Sequence, residues 1–569
     1  MIGGLLRAPE RFAFASLVML TLSPALVQGL WRPLAHALHV EVPGAVDTLP
    51  LALAALATTL AVALAQGKTA RRGLPGALGG VLCVPAAFLV ARGWPAIGVA
   101  LAPLLGVTLF TALLLPWLFH RLPGALDGLA RRRKGVAALM LVLGVACVVQ
   151  TTRIGVFMGD ASRADLSLVP SVSSLANHAC LTAYVEGARL AAEGVENLYD
   201  AAHWPELSGS ALSEAAAARY AAFHLDAFAY PPPFLLLPRL LLSPLGEFAS
   251  QRALWFTLNA MLIAVGMWTL ARWLGGRAGL RALLLAPLLW CSQATLLTLQ
   301  VGNVHVAVVV AAMLALVAFE SKRPAVGGAL LAFAVLAKLS PGLLVVVLIV
   351  QRRHREVAWT AVFCAGFLLL ALAWFGTAPF IAFVSYELPR LASGEALAFL
   401  AGPESVVINL SPFGLPFKLA ALGLDLGDEW AIARVISVVY SAVILILAIV
   451  GARRVHREAR GDPHANALLW TALLTLAALR SPLAPAYVSF SLLWLVTLRA
   501  GEIRGWPGSL ATVVLWAFVA YTPPIALERV AIYTLAQQFL VLGAAVYFVL
   551  RRRTSSAPSP SGPQFVSES

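Results

Sequence analysis

The chain has 569 residues, of which 60% are hydrophobic and only 12% charged. A soluble domain is nearer half apolar and a quarter charged, so composition excludes that class. The 41 Lys and Arg against 27 Asp and Glu give a net charge of +14, but the bases sit in short clusters at the ends of apolar runs. That is the pattern of cytoplasmic membrane loops, and it excludes a nucleic-acid partner.

Apolar runs recur at the length, about 20 residues, that spans a hydrocarbon core. The first, Phe12 to Trp31, follows Arg7 and Arg11 without a clear cleavage site and reads as a retained helix. Runs at 50–66, 77–93, 96–119 and 136–156 follow. Arg71-Arg72 and Arg131-Arg132-Arg133-Lys134 mark cytoplasmic connections, and parity then sets the stretch after Phe157 outside. This stretch, Phe157 to Tyr230, is long and polar. It holds Asp160, Asp165, Glu186, Glu193, Glu196, Asp200, Glu206, Glu214 and Asp226, a large share of the 27 acids. Ionisable groups are expensive in hydrocarbon, so acids gathered in one extramembrane loop point to chemistry or recognition there. Leu181 to Glu193 has helical spacing with Gly194 as its stop, and Ala211 to Tyr220 suits a second short helix. Tyr230-Pro231-Pro232-Pro233-Phe234 predicts an extended exit. Phe234 to Leu245 is broken by Pro238, Arg239 and Pro244, and is expected in the interface or against the loop.

Runs at 253–271, 281–299 and 304–320 come next, with Gln300-Val301-Gly302-Asn303 as an outside turn and His305 at the start of the following helix. Ala325 to Val350 has basic residues on both flanks, which one span cannot satisfy. The break at Lys338-Leu339-Ser340-Pro341-Gly342 resolves this as two short helices with Lys338 near the outer tip. The run 356–375 exits to a second outer loop, 376–429, whose apolar part from Val406 to Leu424 is partly embedded. Runs at 430–450, 465–480, 483–499, 507–524 and 530–550 complete the bundle. The prediction is an all-α polytopic membrane protein, a transmembrane helix bundle of about 14–16 helices with a long outer loop. Residues 1–135 form N-terminal helices without an assigned role, 136–553 the main membrane domain, and 554–569 a Ser/Pro-rich disordered tail. The multi-pass chain is placed in the cell (inner) membrane. Cys83, Cys147, Cys291 and Cys364 lie in apolar runs and Cys180 in the loop. No Cys/His spacing suggests a metal, and no cofactor is indicated.

Several short motifs recur in one order: Tyr184-Val185-Glu186-Gly187-Ala188, Gly194, Leu198-Tyr199-Asp200, then Tyr230 to Phe234 and Gln300-Val301-Gly302-Asn303. Gly327-Gly328 to Lys338 and Pro341, Asn409-Leu410-Ser411 and Ser481-Pro482 complete the series. Over residues 136 to 550 this order resembles glycosyltransferase family 87, mannosyltransferase-like membrane enzymes of the GT-C fold that depend on a polyprenyl phosphate. The resemblance implies a glycosyltransferase with its active site facing the periplasm or exterior. Its partners would be a polyprenyl-phosphate sugar donor, a lipid or glycan acceptor, and membrane lipids.

An inverting transfer of this kind needs a base for the acceptor hydroxyl and cations for the leaving phosphate. The family's proposed base is an Asp four residues before the loop Tyr, where this chain has Cys180. A thiol of ordinary pKa is a poor replacement. The reading therefore moves the base to Asp165 or Asp160, directly after the membrane exit, with Glu186 or His178 as alternatives. Lys338, with His305 and Asn303, is the candidate phosphate site, and Tyr184 and Tyr230 are candidates for lining the substrate path. Three further readings stay open: a non-catalytic relative in envelope glycan assembly, a lipid or solute transporter, and an O-antigen-type ligase or polymerase.

Overall fold

The computed structural model describes residues 8–37, 107–108, 111–112, 114–205, 210–396, 402–424, 426–458, 462–500, 506–523 and 527–551. These residues are helical, with no strand among them. Lys134–Gly159, Phe248–Leu274, His354–Phe375, Glu429–Glu458 and Arg529–Leu550 are each long and apolar enough to cross a membrane. Gly276–Trp290 with Gln293–Val301 makes a further span, bent by 57° at its break. The protein is an all-α polytopic membrane protein, as composition requires. The runs at 50–66 and 77–93, part of the run at 96–119, and the tail from Thr554 lie outside the described residues. The first helix, Pro9–Ala37, packs on Lys134–Gly159 and Phe248–Leu274. Arg11 Nε pairs with Asp127 Oδ1 at 2.6 Å across that junction.

Two breaks shape the middle of the bundle. Ser292 caps Gln293–Val301 by accepting from the Thr295 amide at 3.3 Å. Gly302 ends that helix at φ +72°, a left-handed conformation that favours glycine, and Asn303 follows in the turn. The second break falls where the sequence has Lys-Leu-Ser-Pro-Gly. Pro324–Ala337 stops at Lys338, whose backbone is extended, and Leu343–Val350 restarts after a short turn at Ser340–Gly342. The first half packs between His305–Glu320 and His354–Phe375, the second mainly against Glu429–Glu458.

The long loop is not a solvated flap. Its helix Leu181–Ala192 is buried almost throughout, and Gly194 closes it at φ +76° with the Val195 amide on the Leu190 carbonyl at 3.1 Å. Ala211–Ala218 forms the second short helix, capped by the Ser210 hydroxyl. The triple proline behaves differently from the extended exit that its composition suggests. Only Pro231 is extended; Pro232–Leu235 is a single tight turn that leads into Leu236–Leu241. Proline lacks a donor that a first helical turn does not need, so it can begin a helix as well as end one. Phe234, Leu235 and Leu236 are buried, and this segment packs on the loop helix.

In the second loop, Asn409 is the fastener. Its Nδ2 donates to the Pro482 carbonyl at 2.8 Å, and its Oδ1 accepts from the Ser411 and Ala484 amides at 2.9 Å. Lys418 Nζ donates to the Asn409 carbonyl at 2.6 Å. The Asn-Leu-Ser and Ser-Pro motifs, 70 residues apart in the chain, are thus one hydrogen-bonded unit that fixes the turn beside Arg480.

The Gly327-Gly328 pair permits the tight helix contacts. A Cβ on Gly328 would lie 2.7 Å from the Trp359 carbonyl carbon and 2.8 Å from the Thr360 nitrogen, and backbone cannot step aside. Gly328→Ala is therefore expected to cost about 1–3 kcal/mol, whereas Gly366→Ala, where a Cβ meets nothing within 4 Å, costs little or nothing. Thermal unfolding in detergent checks this: equal losses in the two variants would contradict the close crossing.

Candidate active site

One cavity of about 940 Å³ opens where the long loop meets the two helix breaks. Its wall takes His178, Cys180, Tyr184, Asp226 and Tyr230 from the loop, Asn303 and Lys338 from the breaks, Glu387 from the second loop, and Arg480 and Tyr487 from the Ser-Pro turn region. Two carboxylates and two strong cations therefore share one space lined otherwise by aromatic and apolar side chains.

The loop wall is held rigidly. Tyr184 is fully buried; its hydroxyl accepts from the Val304 amide at 3.1 Å and meets the Tyr230 hydroxyl at 2.9 Å. The Tyr184 ring stands edge-on to Tyr230 at 5.0 Å and to Phe234 at 4.9 Å. Tyr199 donates to the Tyr230 carbonyl at 2.8 Å. These contacts fix the chain just after Asp226.

Beside them, His178 turns Nδ1 to Asp226 Oδ1 at 3.3 Å and Nε2 to Cys180 Sγ at 3.3 Å. Burial disfavours the imidazolium, but the Asp226 carboxylate and the Cys180 sulfur together lift its pKa well above the ordinary value. Ligand atoms of these three residues lie within 4.8 Å of one another, a spacing that could hold a metal ion. The imidazole, however, gives a different nitrogen to each neighbour, so one ion could not use both contacts. Lys338 on the same wall also opposes a further cation. The trio suits a carboxylate–imidazole–thiol relay better than a metal centre.

Of the candidates read from the sequence, Lys338, Asn303, Tyr184, Tyr230 and His178 line this cavity together. Lys338 Nζ lies 5.8 Å from the centre of the Tyr487 ring. His305 sits behind the wall, buried, with its ring 5.8 Å from that of Tyr487 and no hydrogen-bond partner at either ring nitrogen. The three candidate bases lie off the wall. Asp160 ends Lys134–Gly159 and accepts from the Ser162 amide and hydroxyl at 3.0 and 2.7 Å. Asp165 is exposed and pairs with Arg163 at 3.2 Å. Glu186 is buried among Arg189, Arg219 and Tyr220, at 2.7, 2.5 and 3.0 Å. Burial alone would raise its pKa, but the two guanidiniums hold it below the ordinary carboxylate value. Sequence reasoning passed over Asp226, Glu387, Arg480 and Tyr487. Arg480 directly precedes the Ser-Pro motif, and Asp226 lies four residues before Tyr230, but neither position is distinctive without the fold.

Glu387 faces the cavity from an under-wound π-helical stretch, Phe383–Glu387, and burial lifts its pKa to about 7 against an opposing pull from Arg390. The folded state therefore holds this proton more tightly than the unfolded state. Stability is fully present below the unfolded carboxylate range and falls as pH rises toward about 7. Glu387→Gln is expected to flatten that part of the melting-temperature profile. An unchanged fall between about pH 4.5 and 7 would contradict the assignment.

A family model for glycosyltransferase family 87 matches residues 228–482, from the end of the long loop through the Ser-Pro turn. No curated protein and no solved structure matches the chain. The matched stretch contains Tyr230, Asn303, Lys338, Glu387 and Arg480, and so most of the cavity wall beyond the loop. Residues 228–482, a little under half of the chain, are thus similar to glycosyltransferase family 87, and this match supports a membrane glycosyltransferase in general.

Proposed function

We propose that the protein moves a sugar from a polyprenyl-phosphate donor to a hydroxyl of a lipid or glycan acceptor, at the periplasmic or outer face of the membrane. Mannose is the sugar that the family resemblance implies. The observation that carries this reading is that Lys338 and Arg480 line the same cavity as Asp226, His178 and Cys180. A phosphate leaving group gains negative charge as its bond to the anomeric carbon breaks, and cations held in a site poor in water stabilise that charge. Lys338 and Arg480 suit the role. Asn303, Tyr184 and Tyr230 are suited to positioning donor and acceptor, and His305 to supporting Lys338 and Tyr487 from behind.

The acceptor hydroxyl must lose its proton on the opposite side of the anomeric carbon. Asp165, Asp160 and Glu186 are less well suited to receive it, because all three are off the wall and Glu186 already accepts from three side chains. The wall formed by Asp226, His178 and Cys180 is the better supported place. The outward orientation rests on the basic clusters at the other ends of the apolar runs.

Lys338→Ala and Arg480→Ala are each expected to lower kcat about 10²- to 10³-fold, the usual effect of removing one preorganised charge partner. Transfer from polyprenyl-phosphate sugars by protein reconstituted in lipid measures this. Normally folded variants that keep the wild-type rate would rule out the phosphate site.

A further inference from the structure

Among the described residues, Cys180 is the cysteine on the cavity wall, and polar groups from three parts of the chain converge on it. His178 Nε2 lies 3.3 Å from its sulfur, with Asp226 behind at 3.3 Å from Nδ1. Asn303 Nδ2 approaches the same sulfur at 3.3 Å from the turn after Gln293–Val301. That amide is itself oriented, because its Nδ2 also meets the Tyr487 hydroxyl at 3.2 Å and its Oδ1 accepts from the His305 amide at 2.9 Å. A cysteine that merely fills space behaves as a small apolar side chain and needs no such partners. A donor amide and an imidazole nitrogen meet at one sulfur, with a carboxylate oxygen 3.3 Å from the other ring nitrogen, and such an arrangement can activate a thiol. The other groups facing this sulfur are Lys338, which favours its anion, and the hydroxyls of Tyr184, Tyr230 and Tyr487.

We propose that Asp226 and His178 hold Cys180 as an activated thiolate that accepts the proton of the attacking hydroxyl, an inference that takes its substrate from the glycosyl-transfer reading above. In this step the thiol proton resides on His178, whose imidazolium is stabilised by Asp226. The acceptor O–H bond breaks and its proton passes to Sγ. The oxygen bonds to the anomeric carbon as the bond from that carbon to the phosphate oxygen breaks. The electron pair of that bond leaves with the lipid phosphate, toward Lys338. Cys180 is the catalytic residue here; His178 and Asp226 are positioning residues.

Site-resolved alkylation of the purified protein with iodoacetamide, followed by peptide mass spectrometry across pH, reads the thiol without any sugar substrate. At pH 7 Cys180 is expected to alkylate at least about tenfold faster than in His178→Gln. Asp226→Asn should slow the alkylation likewise. In transfer assays Cys180→Ala should lose about 10²- to 10⁴-fold in rate. Cys180→Asp, which restores a proton acceptor, should recover most of it and serves where the alanine variant misfolds. An alkylation rate that neither His178→Gln nor Asp226→Asn changes would overturn the proposal. So would zinc bound at about one ion per chain and lost in Cys180→Ala, since the trio would then be a metal centre. Full transfer by Cys180→Ala would overturn the proton-accepting role. Fast, His178-dependent alkylation in a wild-type protein that transfers no sugar from lipid phosphates would instead support the activated thiol and overturn the glycosyl-transfer reading.

Discussion

Everything at the cavity depends on how the loop helix Leu181–Ala192 is sealed into the membrane bundle, and Tyr184 is the seal. Its hydroxyl ties the Val304 amide, at the start of one bundle helix, to Tyr230 at the end of the loop. Its ring meets Tyr230, Phe234 and Trp255 edge-on. Such aromatic pairs contribute about 0.5–1.5 kcal/mol each beyond their buried area. Gly187, one turn on, lets Phe228 lie against the helix, since a Cβ there would come within 2.9 Å of that ring. With the helix pinned at Tyr184 and Gly187, the segment before it, His178 to Cys180, is carried against Asp226. The segment after it is closed by Gly194.

This sealing divides the loop acids into two kinds. Glu186 faces away from the cavity and serves the loop's own integrity by gathering Arg189, Arg219 and Tyr220 around one buried carboxylate. A buried charge is tolerated only when it is paired and hydrogen-bonded in this way, and the pairing that stabilises it also makes it a weak proton acceptor. Asp226 is nine-tenths buried with an imidazole at 3.3 Å, and it faces the space where Lys338 and Arg480 lie. Two carboxylates within forty positions of chain thus lie in different settings, one inside the loop and one on the cavity wall.

Much of the fold was legible because membrane helices announce themselves by apolar length. The stretches from 136–156 to 530–550 became helices near their expected bounds, and the Lys-Leu-Ser-Pro-Gly break fell where charge parity required one. The site was legible only where a residue coincided with a backbone break, as for Asn303 and Lys338. Asp160 and Asp165 were favoured because they follow the membrane exit directly, but nearness along the chain does not bring them to the wall. Asp226 reaches it from sixty residues further on because Tyr199 and Tyr230 fold the loop back. Cys180 is an apolar residue by composition, and only its neighbours in space, His178 and Asn303, give it chemical interest.

Cryo-electron microscopy of the protein in lipid nanodiscs with a polyprenyl phosphate tests the central claim most directly. The account predicts the phosphate inside the cavity, within hydrogen-bond reach of Lys338 or Arg480, with the prenyl chain leaving between helices into the lipid. A phosphate bound outside this cavity, or inside it but out of reach of both cations, would contradict it.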